Sequence, residues 1–206
     1  EGLDAMLGGG YTAGSIIMVA GLSGTFKTSL AARFLAAGEE REHGLWITFQ
    51  EDRAALARRF AGHGLTPGLV AEGGAVDVLE VVPGRQPVEK LFNQARQRIQ
   101  AAPEGHPIRR IVVDGINELA TGPQGEIERE EAVRWFLRSM RALGVTTLLT
   151  QQLSRVTGRN PMTSIGWVEH ADTIVYLGLV EIESRLERVI SVLKHRGGPA
   201  LGALRA

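Results

Sequence analysis

A twisted, mainly parallel sheet flanked by helices is the fold this sequence predicts, and three observations carry that expectation. Short apolar runs alternate with longer segments of helical period. One early run, Ser15 to Ala20, leads into a glycine-containing turn and then a helix. The 206 residues, 44% of them apolar, suffice for one α/β domain with a full core, over residues 1–206, and leave too little for two.

The elements follow in order. Ser15 to Ala20 reads as a buried strand, and a helix from about Lys27 to Ala37 ends at Gly38, a residue suited to the position after a helix. Leu45 to Phe49 is the second strand, and Arg53 to Ala61 a helix. Val76 to Val82 is a strand, after which Pro87 opens a helix to about Ala101. Ile111 to Asp114 is a short apolar strand ending in an acid. From Ile127 to Leu143, Val133, Phe136, Leu137 and Met140 recur at helical spacing, and Gly144 stops the helix. Val145 to Thr150 is β-branched and strand-like. Gln151 to Val168 has no period and reads as a loop. Thr173 to Leu177 and Arg188 to Leu193 are further strands, the last alternating charged and apolar residues and so expected to have one wet face.

The chemistry lies in Gly21-Leu22-Ser23-Gly24-Thr25-Phe26-Lys27-Thr28-Ser29. Its place between a buried strand and a helix is the context a phosphate-binding loop requires. Backbone N–H groups in such a loop wrap around phosphates, and the helix N-terminus adds partial positive charge. Lys27 can reach the β- and γ-phosphates, and the Thr28 hydroxyl can ligate Mg²⁺. The ligand implied is ATP with Mg²⁺. One position departs from the pattern GxxxxGK[ST], because Phe26 stands where glycine is usual. It adds a Cβ and a ring and lacks glycine's backbone freedom. A chance Lys-Thr in a glycine-rich turn would look similar, but the flanking strand and helix, with Gly21, Gly24, Lys27 and Thr28 together, favour the phosphate loop.

Composition narrows the classes. There is no cysteine, which excludes disulfides, thiolate metal sites and cysteine nucleophiles and fits a cytoplasmic protein. Lys and Arg number 23, as do Asp and Glu, so no global charge draws the chain to nucleic acid. No run approaches the length of a membrane helix, and the N-terminus, Glu1-Gly2-Leu3-Asp4, does not read as a signal peptide. The absence of an initial Met reads as a trimmed or excised domain, with flanking segments expected. His43, His63, His106, His170 and His195 show no metal-ligand spacing. Arg129, Arg134, Arg138 and Arg141 lie on or beside one long helix and read as a solvated or subunit-facing surface.

Further stretches resemble the KaiC-like ATPases of the RecA superfamily over essentially the whole chain. They are Gly2-Leu3-Asp4 with Leu7 to Gly10, Gly14-Ser15, the phosphate loop, Thr48-Phe49-Gln50-Glu51, Ile111 to Asp114, Gly144 to Thr150, and Leu193-Lys194-His195-Arg196-Gly197. The resemblance implies a RecA-like fold with C-terminal antiparallel strands and a homo-oligomeric, hexameric ring holding ATP between subunits. It also implies roles. Asp114 is the Walker B acid that holds Mg²⁺ through water, though an acid here could instead cap a strand end. Glu51, at the γ-phosphate end, orients or deprotonates the attacking water. Its bland alternative is a solvated acid at a helix start. Relatives often carry two acids here, and Gln50 replaces the first. If the first position carries the chemistry, hydrolysis is slow or lost, and if the second does, Glu51 suffices.

Lys194 and Arg196, on one side of a strand with His195 opposite, reach the neighbouring subunit's γ-phosphate in the family. Otherwise they are solvated charges on an edge strand. In Thr150-Gln151-Gln152, Gln151 is the expected γ-phosphate sensor. Gly198-Pro199-Ala200 replaces a stretch that touches the nucleotide in relatives, so those contacts are expected to differ. Val168-Glu169 occupies the place of a phosphorylated Ser-Thr pair, so autokinase activity is not expected, and nothing marks Thr163 or Ser164 as acceptors. Asp172 is assigned only a structural role. The reading is a slow ATPase. Its alternatives are an ATP-dependent oligomeric switch without hydrolysis and, with less support, a DNA-binding recombinase relative.

Overall fold

A computed structural model describes residues 2–38, 42–120, 126–153, 168–198 and 205, with the side chains of 120 and 126 excepted. Among the described residues, seven strands form one sheet in the order β3-β2-β4-β5-β1-β6-β7. They are β1 (Ile16–Gly21), β2 (His43–Thr48), β3 (Val76–Glu80), β4 (Ile108–Asp114), β5 (Thr146–Gln152), β6 (Thr173–Ile182) and β7 (Arg185–His195). Every pairing is parallel except that of β6 with β7. The helices are α1 (Gly2–Met6), α2 (Lys27–Ala36), α3 (Arg53–Gly62), α4 (Val88–Gln100) and α5 (Glu126–Ala142). Short 3₁₀ turns occupy Pro67–Val70, Ile116–Ala120 and Val168–His170. This is the expected α/β, RecA-like arrangement.

Strand periodicity sorts the core into two layers. Ile16, Met18 and Ala20 of β1 pack on one face with Leu91 of α4 and Val133, Phe136, Leu137 and Met140 of α5. Ile17 and Val19 face the other way, onto Ala31, Phe34 and Leu35 of α2 and Leu56 and Phe60 of α3. A strand covered on both faces must be apolar throughout, and β1 is buried at all six positions. The four α5 residues picked out by helical spacing are all buried, none more than 1% exposed.

Several boundaries differ from expectation. The five-residue helix α1 carries no periodic signal of its own. Strand β4 begins at Ile108, three residues early, because Arg109 and Arg110 interrupt its apolar run. Strand β5 continues through Gln151 and Gln152, which were expected in the loop. Of that loop, 154–167 lie outside the described residues, as do Thr163, Ser164, Pro199 and Ala200. The β6–β7 hairpin is longer than expected. Leu179 to Ile182 pair with Arg185 to Arg188 beyond the point where Gly21 ends β1 opposite Leu177. Residues 185–188 are exposed throughout, so this end of β7 has no single wet face. Among the described residues, no helix is long and apolar enough to cross a membrane.

Asp172 joins three elements at the opposite end of the sheet. Its Oδ2 accepts from the Ile16 amide (2.9 Å) and from Arg141 Nη2 (2.8 Å), and its Oδ1 accepts from Arg196 Nη1 (3.2 Å). The start of β1, the end of α5 and the end of β7 therefore meet on one carboxylate. Both arginines are well exposed, so those pairings contribute little. The buried Ile16 amide is the costly group to strand. Asp172→Ala should lower unfolding free energy by about 2 kcal/mol, read from urea melts, and an unchanged midpoint would contradict this role.

Candidate nucleotide site

Register builds the site. Thr48 of β2 lies beside Asp114 of β4, and Asp114 beside Thr150 of β5. All three stand at the carboxyl edge of the sheet, beside the end of β1. In open parallel sheets this is where ligands bind, outside the strand ends. The turn from β1 into α2 opens on the same edge. A cleft of about 710 Å³ connects the two, lined by residues of that turn and by Thr48, Asp114 and Thr150.

The turn has little freedom. A Cβ on Gly21 would collide with the Leu177 carbonyl and lie 2.6 Å from Thr25 Oγ1. Gly24 has φ +79°, and Phe26 takes the left-handed conformation with φ 67° and ψ 27°. Phe26 therefore follows the backbone path a glycine would take, at a cost of about 1–2 kcal/mol. Its ring lies under the Arg188 guanidinium, 4.3 Å from centroid to carbon, which returns about 0.5–1 kcal/mol. The departure from the motif thus leaves the loop geometry in place.

Helix α2 begins without a side-chain cap. The amides of Lys27, Thr28 and Ser29 are first-turn donors that the helix itself cannot satisfy. Together with the dipole they suit an anion. Lys27 lies at its rim, where Nζ donates to the Leu22 carbonyl (2.7 Å). Burial holds the Lys27 pKa below its usual value, and Asp114 acts in the opposite sense.

Asp114 is the half-buried acid of the cleft. Its Oδ1 accepts from Thr150 Oγ1 at 2.6 Å and from Thr28 Oγ1 at 3.5 Å. Burial raises its pKa, and those two hydroxyls partly oppose the shift. Glu51 stands nearby with both oxygens taken by Arg59: Nε donates to Oε2 at 2.9 Å, and Nη2 makes a close contact with Oε1. The Glu51 amide is fixed by Thr48 Oγ1 at 3.1 Å. Capping of α3 belongs to Asp52, which accepts from the Ala55 amide (2.7 Å), and not to Glu51. Gln50 Nε2 donates to Glu118 (3.0 Å).

The donor set suits a hard, well-hydrated cation. Among the described residues no group of three or more His, Cys, Asp or Glu could hold a metal. The cleft instead offers one carboxylate, Asp114, beside one hydroxyl, Thr28. Mg²⁺ keeps several waters and takes phosphate oxygens, so it needs few protein ligands.

The expected residues divide into four placements. Ser23, Gly24, Phe26, Lys27, Thr28, Ser29, Gln50, Glu51 and Asp114 line the one cleft. Gly21, Leu22 and Thr25 shape the turn behind it, and Thr25 Oγ1 donates to the Leu22 carbonyl at 2.8 Å. Gln151 is 4% exposed and does not line the cleft, whereas its neighbours Thr150 and Gln152 do. Lys194 and Arg196 lie elsewhere. Lys194 Nζ and Arg196 Nη2 both donate to the Glu169 carbonyl, at 3.2 and 3.3 Å, while His195 is buried against Thr173. Thr150 and Arg59 were not singled out as site residues. The signal for Thr150 was its place at the end of a strand beside the acid-ending strand. Arg59 carried only the weak signal of a charge on the helix that follows Glu51.

A carboxylate whose pKa is raised by partial burial, as at Asp114, destabilises the fold where it is ionised. The folded chain holds that proton more tightly than the unfolded chain, so stability falls as pH rises from the ordinary carboxylate range through the raised value. Asp114→Asn should therefore be more stable than the parent at neutral pH, in urea melts without nucleotide. The advantage should vanish as pH is lowered into the range where the parent's Asp114 is protonated. A variant less stable at neutral pH would contradict this.

Comparison with known proteins agrees with the geometry. A family model described as "ATPase: KaiC" matches residues 1–201. The circadian clock oscillator protein KaiC of Thermostichus vulcanus is 30% identical over 198 residues, covering 95% of this chain and 37% of that protein. Circadian clock oscillator protein KaiC 1 of Synechocystis sp. shows the same identity and coverage. The chain thus spans little more than a third of the length of these curated relatives, at 37%. The glycine-containing turn after β1, the Asp114 strand and the family match over nearly the whole chain lead to one assignment: the chain belongs to the KaiC-like ATPase family of the RecA superfamily.

Proposed function

We propose that this chain binds Mg-ATP in the cleft at the start of α2 and hydrolyses it slowly, at sites shared between adjacent subunits of a cytoplasmic, hexameric homo-oligomer. The observation that carries the reading is the convergence of an uncapped helix N-terminus, Lys27, Thr28 and Asp114 on one cleft. The amides of the turn and Lys27 bind the phosphates, and Thr28 and Asp114 hold Mg²⁺, Asp114 through water. The ion neutralises charge on the phosphate oxygens.

Glu51 orients the attacking water and receives its proton. Both Glu51 oxygens are engaged by Arg59, which competes with the water for the carboxylate. That competition, with Gln50 unable to act as a base, is the physical reason for slow turnover. Gln50 positions water, and the end of β5 senses the γ-phosphate. Thr150 conveys this through its bond to Asp114, while Gln151 packs behind. Lys194 and Arg196 line no part of their own chain's cleft, which supports their acting on a neighbour's nucleotide. Neutral net charge goes with a role apart from nucleic acid. Autokinase activity is not part of the reading.

The Glu51–Arg59 pair also favours a second reading, an ATP-dependent oligomeric switch without turnover. Measuring ADP release separates the two. Lys27→Ala and Arg196→Ala should each lower turnover by about 10²-fold or more. Mixing the two variants should restore part of it, since some sites then combine an intact Lys27 with a neighbour's intact Arg196. Unchanged turnover in both would refute the mechanism. No ADP from the parent, with ATP still bound, would establish the switch. Glu51→Gln should reduce turnover by about 10²-fold while ATP binding persists, and full activity in that variant would remove Glu51 from the chemistry.

A further inference from the structure

Phosphate, metal and water chemistry accounts for much of the cleft, but not for its two aromatic lining residues. Phe26 and His63 are the only aromatic rings among the described residues that line it. They stand together, ring centroids 6.1 Å apart and planes at 88°. Ser29 Oγ lies 2.9 Å from His63 Nε2 and ties the imidazole to the first turn of α2. Consecutive residues of that turn thus point to different groups: Thr28 towards Asp114, and Ser29 towards His63.

Phe26 is 48% exposed. Arg188, from the projecting β6–β7 hairpin, fixes it from above by the 4.3 Å cation–π contact. The left-handed backbone at Phe26 lets the loop follow the glycine path while the side chain is presented at the cleft. An aromatic ring that is exposed, fixed from one side and next to an anion site offers a π-surface for a flat group joined to phosphates. The cleft volume, about 710 Å³, has room for more than a triphosphate.

We propose that the Phe26–His63 pair is a stacking station for the base of a nucleoside triphosphate whose phosphates lie on the α2 N-terminus. Arg188 is a positioning residue that holds the Phe26 ring in place. This rests on the nucleotide-binding reading above and adds that the motif departure at residue 26 sets how strongly the base contributes.

The test compares Mg-ATP with Mg-complexed inorganic triphosphate, which has no base, by calorimetry on the parent, Phe26→Leu and Phe26→Tyr. The parent should prefer ATP. Phe26→Leu should lower the ratio of ATP to triphosphate affinity by about tenfold, the size expected for one base–aromatic stack. Phe26→Tyr, which keeps the aromatic face, should retain the ratio. An unchanged ratio in Phe26→Leu overturns the station, whatever happens to the absolute affinities. A parent that binds triphosphate as tightly as ATP overturns it too, while leaving phosphate binding intact. A parent that binds neither ligand refutes the nucleotide reading and the station with it.

Discussion

The turn from β1 into α2 admits one chain path, and the rest of the site depends on it. Strand β1 is buried on both faces, so its position in the sheet is fixed before the turn begins. Gly21 must pass against the Leu177 carbonyl, where no side chain fits. Five residues later the backbone has to enter α2 through a left-handed residue, and Phe26 adopts that conformation despite its Cβ. Only then do the uncapped amides of α2 face the sheet edge that carries Asp114. A helix start displaced by one residue would turn Thr28 away from Asp114 by about 100°, given 3.6 residues per turn.

Electrostatics in the cleft have the same dependence. Asp114 is half-buried, which opposes its charge, and it is supported by hydroxyls from two separate elements, Thr150 of β5 and Thr28 of α2. Lys27 is likewise disfavoured by burial and supported by Asp114. Each group is an incomplete half of a charge arrangement, which suits a site that receives a polyanion with a divalent cation. Glu51 and Arg59, by contrast, already pair with one another, so the groups that would bind and the group that would react are held in different states of readiness.

Much of this was legible in the sequence because two-sided burial writes itself as apolar runs. Strands β1 and β2, the helical period of α5 and the acid closing β4 could all be placed from the residues alone. The loop was readable through Lys27, Thr28 and the two glycines. What Phe26 does was not, because nothing local in the sequence shows that a phenylalanine takes a glycine's dihedral angles when an arginine more than 150 residues away covers its ring. Arg59 and His63 escaped for a similar reason, since their roles arise when α3 folds back onto the loop. The outer half of β7 escaped because residues 185–188 face no core and so show no buried-strand pattern. Its turn, Glu183-Ser184, takes positive φ at both positions without the glycine or asparagine that usually marks such a turn. For Thr150 and Gln151, sequence narrowed the choice to one strand end, and packing decided which side chain meets Asp114.

The central claim is that the amides at the start of α2 are the phosphate cradle. The most direct measurement is the backbone ¹⁵N–¹H spectrum of the chain titrated with Mg-ATP. The account predicts the largest shifts at Lys27, Thr28 and Ser29, with a smaller response at Asp114 and Thr150. Shifts concentrated elsewhere, or a loop unchanged at saturating ligand, would contradict it.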